Sequence, residues 1–438
     1  MRILKDIKIP DFKFPKFKMK NVENIEEVNV DYEELKRKQA EEKVKDNYHE
    51  QTHYKTIKEI FIRSREKFAN DVFILEKFNS KEAFKEITFK EFTDDVIAFG
   101  TALTKKYNLK DERIVIIGEN TYNWYVSYMT MLCGAGIAVP VDKELPVNEI
   151  ENVINRSKAT AVIYSSKKKD SIKKIENSLP EVKYFIQMNS DEKLTGRNVG
   201  FNTILEKGKE MIKSGDDSFM KIEIDPEEFK VLIFTSGTTS NAKGVMICNR
   251  NLAENINAVN PYVRIDEKDR LFSVLPLHHT YESSIGFLLP FSTGSSIAVC
   301  QGLKYIVPNL QETRPTSIIA VPLLIENLYK KINKTIEKSG KTGIVNSMIH
   351  VSNALKSVGV DIKRKVFSDI YESLGGNLRI IVSAAAPIDP KIGKWFTDIG
   401  ICFIQGYGLT ETAPIAALTP EFNLKVGSCR KSSCMCRT

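Results

Sequence analysis

The chain has 438 residues, 42% of them apolar and 27% charged, with a net charge of +8. A length of this order suggests roughly two to three domains with a large buried core, in an ordinary folded protein. Seven cysteines in so long a chain exclude a disulfide scaffold and suit a reducing, cytoplasmic compartment.

Residues 1–50 show no strand–helix rhythm and read as a basic, charged extension. Residues 1–20 hold seven basic and two acidic side chains, with Phe12, Phe14 and Phe17 interleaved among the lysines. Such a stretch suits either a solvated or domain-packing extension or peripheral contact with the inner surface of an anionic membrane. Nucleic acid is not expected as a partner, because the remaining chain offers neither a basic face nor a known module. Residues 31–46 read as a highly charged helix. From Arg113 a regular alternation begins. Strands are expected at Arg113–Gly118, Ile137–Val141 and Thr160–Tyr164, with helices at Trp124–Leu132 and Pro146–Arg156 between them. The alternation resumes with strands at Ile297–Val299, Ser317–Ala320 and Leu378–Val382 and a helix over 323–334. This pattern predicts an α/β domain with a largely parallel sheet. The uncharged stretches 121–141 and 283–303 are long enough to raise a membrane span, but Gly134, Gly136, Pro140, Pro290 and Gly294 interrupt them. Each is expected to be a buried helix, a turn and a strand.

The segment 231–247, VLIFTSGTTSNAKGVMI, carries the clearest chemical signal. An apolar strand-like run, Val231–Phe234, enters a loop of small and hydroxylated residues, and a second run, Gly244–Ile247, leaves it. Small residues let backbone N–H groups approach an anion, and the hydroxyls of Thr235, Ser236, Thr238 and Thr239 add donors around Gly237. Lys243 supplies a point charge for a polyphosphate. The loop is not the common Gly-x-x-x-x-Gly-Lys-Ser/Thr phosphate loop, because Gly244 and Val245 follow the lysine. Two further motifs accompany it: Gln-Gly-Tyr-Gly-Leu-Thr-Glu-Thr at 405–412 and Leu-Pro-Leu-His-His-Thr-Tyr-Glu at 275–282.

In this order the three motifs resemble those of the adenylate-forming ligases, the family of acyl-CoA synthetases, luciferases and peptide-synthetase adenylation domains. The stretch at 118–146 and the acidic end of the 275–282 motif are most similar to bacterial long-chain fatty acid–CoA ligases. The resemblance covers residues 51–427 and implies the family's large N-terminal domain, with interwoven α/β subdomains and an incomplete small β-barrel. It implies joining of a carboxylate to the α-phosphorus of ATP, release of pyrophosphate and transfer of the acyl group to CoA; an acyl-carrier-protein thiol stays open as the acceptor. Thr235 to Thr239 and Lys243 are then expected to hold the β- and γ-phosphates, with Thr238 and Lys243 serving catalysis. Glu411 is expected to ligate Mg²⁺, Tyr407 to stack on adenine and Thr410 to contact the α-phosphate. Gln405, Gly406 and Gly408 would lie beside the nucleotide. His279 is expected near the carboxylate, at the mouth of the acyl pocket, whereas His278 matters less. Tyr281 and Glu282 resemble the aromatic–acid pair of long-chain members. At Ser383-Ala384-Ala385-Ala386-Pro387 the family usually has one or two glycines, so the methyl groups of Ala384 and Ala385 are expected to crowd the adenine site.

Beyond Gly427 the resemblance stops. The family's Arg-Thr-Gly-Asp motif and lysine-bearing mobile domain do not follow, and residues 429–438 hold three cysteines and no acid. The composition of 428–438 suggests a shifted reading frame, and ligase turnover is expected to be impaired. The alternatives are a fragment that binds nucleotide or fatty acid without turnover, and a non-functional fragment.

Overall fold

The computed structural model describes residues 52–79, 81–190, 196–235 and 243–429, together with the backbone of 431 and 432. The extension at 1–50 and the charged stretch 31–46 lie outside the described residues.

Two large sheets organise the chain. In one, seven strands run in the order Asn198–Gly200, Tyr184–Gln187, Ala161–Tyr164, Glu112–Ile117, Gly136–Val141, Phe229–Thr235 and Lys243–Cys248. All neighbours in it are parallel except the last pair, an antiparallel hairpin. The other has nine strands, with Arg270–Ser273 flanked by Ser296–Val299 and Ser317–Ala320, then Ile380–Ser383 and Cys402–Gly408. Ile415–Leu418 and Lys431–Ser432 continue this sheet in antiparallel fashion.

The apolar runs are continuous because both faces of each sheet are covered. Ile114 and Ile116 enter the core shared by the two sheets, while Val115 and Ile117 point into a second core under the helix Val147–Ser157. The same alternation recurs in the nine-stranded sheet, where Ile380 and Val382 face the shared core and Ile381 faces the helices Pro322–Lys338 and Pro390–Asp398. Within the shared core the ring of Phe73 lies 4.5 Å from Phe89, 4.9 Å from Phe92 and 5.1 Å from Phe291. These rings join a strand of the nine-stranded sheet to the helix Phe89–Lys105, which opens on a capping box between Thr88 and Glu91.

Both uncharged stretches are buried helix-to-strand units. Residues 121–141 form the helix Tyr122–Thr130, a π turn Met131–Ala135 and the strand Gly136–Val141. Residues 283–303 include most of the π-helix Tyr281–Leu288, then Leu289–Thr293 and the strand Ser296–Val299. Among the described residues no helix is long and apolar enough to cross a membrane.

Candidate functional site

The phosphate-loop motif forms the tip of the edge hairpin. Thr235 and Lys243 are cross-strand partners, and Phe234 pairs with Gly244, so the loop 236–242 springs from a closed neck. Ser236, Gly237, Thr238 and Thr239 lie outside the described residues. Lys243 is exposed at the neck. The strand Lys243–Cys248 passes alongside the turn Thr410–Thr412. Two motifs more than 160 residues apart in sequence therefore share one end of the molecule.

Gln405, Gly406, Tyr407 and Gly408 close the strand Cys402–Gly408, and Thr410 and Glu411 begin the short turn after it. Tyr407 is 56% exposed, and Glu411 is exposed as well. A Cβ on Gly408 would lie 1.7 Å from the carbonyl oxygen of Pro414, so only glycine lets the two backbones approach this closely. Gly406 has no such requirement, its nearest neighbour being a Leu418 side-chain atom 3.4 Å away. The Gln405 side chain turns away from the open face and accepts a hydrogen bond from the Gly427 N–H at 2.5 Å. A residue without a motif holds this turn: Asn255, fully buried, donates to the carbonyls of Thr412 (2.9 Å) and Ile415 (3.0 Å).

Ala385 follows the strand Ile380–Ser383, which pairs with Cys402–Gly408 in register Ser383 to Gln405. It is exposed and adopts φ +73°, the left-handed region that favours glycine. Ala384, by contrast, is buried. The departure from the family's glycine thus bears on backbone strain at Ala385, while the Ala384 methyl belongs to the core.

The third motif reaches the same end through Tyr281, whose hydroxyl donates to the Val382 carbonyl at 3.0 Å. His279 is exposed. His278 is buried 3.8 Å from Asp142, too far for a hydrogen bond, and desolvation pushes its pKa well below the ordinary imidazole value. Glu282 has no exposure, and burial pushes its carboxyl up to about 8, against a hydrogen bond from Ser273. Glu76, also buried, is pushed up to about 7 by desolvation, with the Tyr122 N–H bonded to its carboxyl at 3.1 Å. Neither Glu76 nor Asn255 carries a sequence signal, because each acts through partners distant in the chain.

Beside Val382 lies an apolar pocket lined by Val259, Val263, Ile285, Leu289, Ile319, Ile415 and Leu418, among others, with Ser317 as its one polar residue. Its walls come from both sides of the 405–412 motif. Among the described residues no group of three or more His, Cys, Asp or Glu side chains could hold a metal by itself. The lone exposed carboxylate of Glu411 nevertheless fits Mg²⁺, which takes one or two carboxylates and completes its shell with phosphate oxygens and water.

A two-sheet α/β core with these motifs at one end defines an AMP-binding enzyme, and the chain belongs to that family, whose model matches residues 62–436. It is 28% identical to long-chain-fatty-acid–CoA ligase 5 of Rattus norvegicus over 358 residues, 77% of this chain and 52% of the relative. It is 24% identical to the long-chain-fatty-acid–[acyl-carrier-protein] ligase AEE15, chloroplastic, of Arabidopsis thaliana, over 83% of this chain and 56% of the relative. The chain thus spans about half the length of the curated relatives it matches. Among solved structures, the anthranilate CoA ligase AuaEII in complex with anthranoyl-AMP superposes with a TM-score of 0.65 at 18% identity, covering 89% of this chain and 65% of that one. At that identity the likeness establishes the fold.

Proposed function

We propose that this chain binds ATP and a long-chain fatty carboxylate and joins them as an acyl-adenylate, the first half of an AMP-forming acyl-CoA ligase reaction. A carboxylate oxygen attacks the α-phosphorus, the bond to the bridging oxygen breaks, and pyrophosphate leaves. The protein's task in such a transfer is positioning and charge neutralisation. Lys243 and the loop 236–242 hold the β- and γ-phosphates, Thr238 among them. Tyr407 offers its exposed ring to adenine, with Ala385, Gly406 and Gly408 as the backbone floor, and Thr410 contacts the α-phosphate. Glu411 would hold Mg²⁺, which supplies neutralisation of the phosphate charge when bound. His279, at the open end of its motif, orients the carboxylate, and the apolar pocket beside Val382 takes the first part of the chain. Gln405 lies beside the nucleotide, its side-chain oxygen holding the Gly427 N–H. The relatives' names support a long-chain acid, and CoA is the acceptor we favour.

The observation that carries this reading is the passage of the Lys243–Cys248 strand alongside the Thr410–Thr412 turn, which unites the phosphate motif with the nucleotide motif. The test is exchange of labelled pyrophosphate into ATP, with and without palmitate and Mg²⁺. Palmitate-dependent exchange is expected. Stabilisation by ATP without any exchange would leave a nucleotide-binding module and remove the catalytic claim; no response to ATP would remove both.

A further inference from the structure

The helix Thr342–Ser357 turns an uncharged face to solvent. Val345, Ile349 and Ser352 point inward, whereas Ile344 is 52% and Val351 45% exposed. Seven residues apart, these two side chains lie on one face, with exposed Ser347 and Ala354 beside them. The helix contains one charged residue, Lys356, at its end, and no acid. Charge is concentrated around it instead. Residues 330–365 hold nine basic and two acidic side chains, a net of +7 in a chain whose total is +8. Lys334 and Lys338, exposed at the end of the helix Pro322–Lys338, lead through a tight loop into the uncharged face. Lys365, exposed, follows it, with Lys356 paired to Asp361 and Arg364 donating to the Gly376 carbonyl over the Tyr371 ring. An apolar strip bracketed by cations is the pattern of a helix lying in the headgroup plane of an anionic bilayer.

We infer that the Thr342–Ser357 helix seats the protein on an anionic lipid surface, Ile344 and Val351 entering between headgroups while Lys334, Lys338 and Lys365 meet phosphates. The surface lies away from the 1–20 segment in sequence and is independent of the catalytic reading.

The experiment is sedimentation of the full chain with vesicles of phosphatidylcholine and phosphatidylglycerol (3:1) or of phosphatidylcholine alone, at low and high salt. Binding to the anionic vesicles alone is expected, and high salt should weaken it. The pair Lys334→Glu/Lys338→Glu should reduce the vesicle-bound partition coefficient by about 25-fold or more, since each cation near such a surface is worth about fivefold, and the pair Ile344→Ser/Val351→Ser by about tenfold through lost apolar insertion. Both pairs change exposed side chains; unaltered melting temperature and circular dichroism check that they fold. Vesicle-dependent protection of amides 342–357 from hydrogen exchange reads the same seat in the unmodified protein. Absence of binding, or full binding by both pairs, overturns the inference. So does loss confined to the lysine pair, which marks a site for an acidic protein or nucleic acid, or loss on Lys16→Glu/Lys18→Glu alone.

Discussion

Ser273 donates a hydrogen bond of 2.5 Å to Glu282 Oε1 inside a core that gives neither residue any exposure. The same hydroxyl oxygen lies 2.9 Å from the Tyr125 hydroxyl and 3.3 Å from the Asn120 amide. Among the described residues Glu282 Oε2 has no hydrogen-bond partner. A carboxylate so placed would be a buried charge with half its acceptor capacity unmet, so the protonated form is favoured.

Stability should therefore depend on pH in a direction opposite to that of a salt-bridged carboxylate. In the unfolded chain Glu282 ionises near 4.5; in the folded protein it keeps its proton until about pH 8. The folded state thus binds more protons between these values, and this contribution to stability is full at low pH and lost as pH rises through 8. Glu76, raised to about 7, acts in the same sense. His278 acts against them below about pH 6.5, because only the unfolded chain takes up its proton readily. Comparison with Glu282→Gln isolates one group. The stability of wild type minus that of the variant should fall by about 1 kcal/mol per pH unit between pH 5.5 and 7.5. A flat difference, measured by denaturant unfolding, would show Glu282 already ionised.

Asn120 clamps the histidine-bearing loop. It follows the strand Glu112–Ile117 of one sheet and reaches the loop that follows Arg270–Ser273 of the other. Its amide donates to the Leu275 carbonyl at 2.7 Å, and its oxygen accepts the Leu277 N–H at 3.1 Å. Asn120→Ala leaves both backbone groups without that partner, at a cost of about 1–3 kcal/mol. Hydrogen exchange at the Leu277 amide should accelerate, with the change confined to 274–280 at first. Unchanged exchange there would mean that the loop is held by its other contacts.

Ala385 stores backbone strain that glycine would release. At φ +73° an L side chain is disfavoured by about 1–2 kcal/mol, and part of that gain is returned through the greater freedom of an unfolded glycine. Ala385→Gly should raise stability by about 1 kcal/mol. A loss of stability in thermal unfolding would place the residue in a conformation that tolerates its methyl group. If the exposed stretch also floors the adenine site, the same change tightens ATP binding.

How far the fold is legible in the sequence follows from the physics of burial. The strand expected at Arg113–Gly118 is found at Glu112–Ile117, because a sheet covered on both faces needs an unbroken apolar run. The helix expected at Trp124–Leu132 instead gives way to a π turn at Met131–Ala135, where Gly134 takes φ +119°. Sheet order was not legible: Val72–Glu76 pairs with Ser296–Val299 across more than 200 residues, which no local pattern encodes. In the candidate site, the motif residues Lys243, Tyr407, Glu411 and His279 were readable and all end in exposed positions. Asn255 and Glu76 were not, because their meaning lies wholly in partners from other elements; Asn120 stood within the readable stretch at 118–146, but its partners did not show. Gln405 was readable as part of a motif, but its side-chain partner, the Gly427 N–H, was not.

Tyr407 and Lys243 should divide nucleotide recognition between base and phosphates. The Tyr407 ring is 56% exposed near the end of a strand, so its removal costs the fold little. Stacking of a base on an aromatic ring is worth about 1–3 kcal/mol, or roughly fivefold to over a hundredfold in affinity. Tyr407→Ala should therefore weaken ATP, ADP and AMP alike, and Tyr407→Phe should retain most of the affinity. Lys243 stands at the neck of the phosphate loop, and in the proposed orientation its charge meets the β- and γ-phosphates. Lys243→Met should weaken ATP and ADP by about tenfold, as loss of one charge-assisted contact does, and leave AMP nearly unchanged. Calorimetric titration of the three nucleotides reads both patterns. If Lys243→Met weakens AMP as much as ATP, the lysine lies at the α-phosphate and the orientation proposed for the nucleotide is reversed.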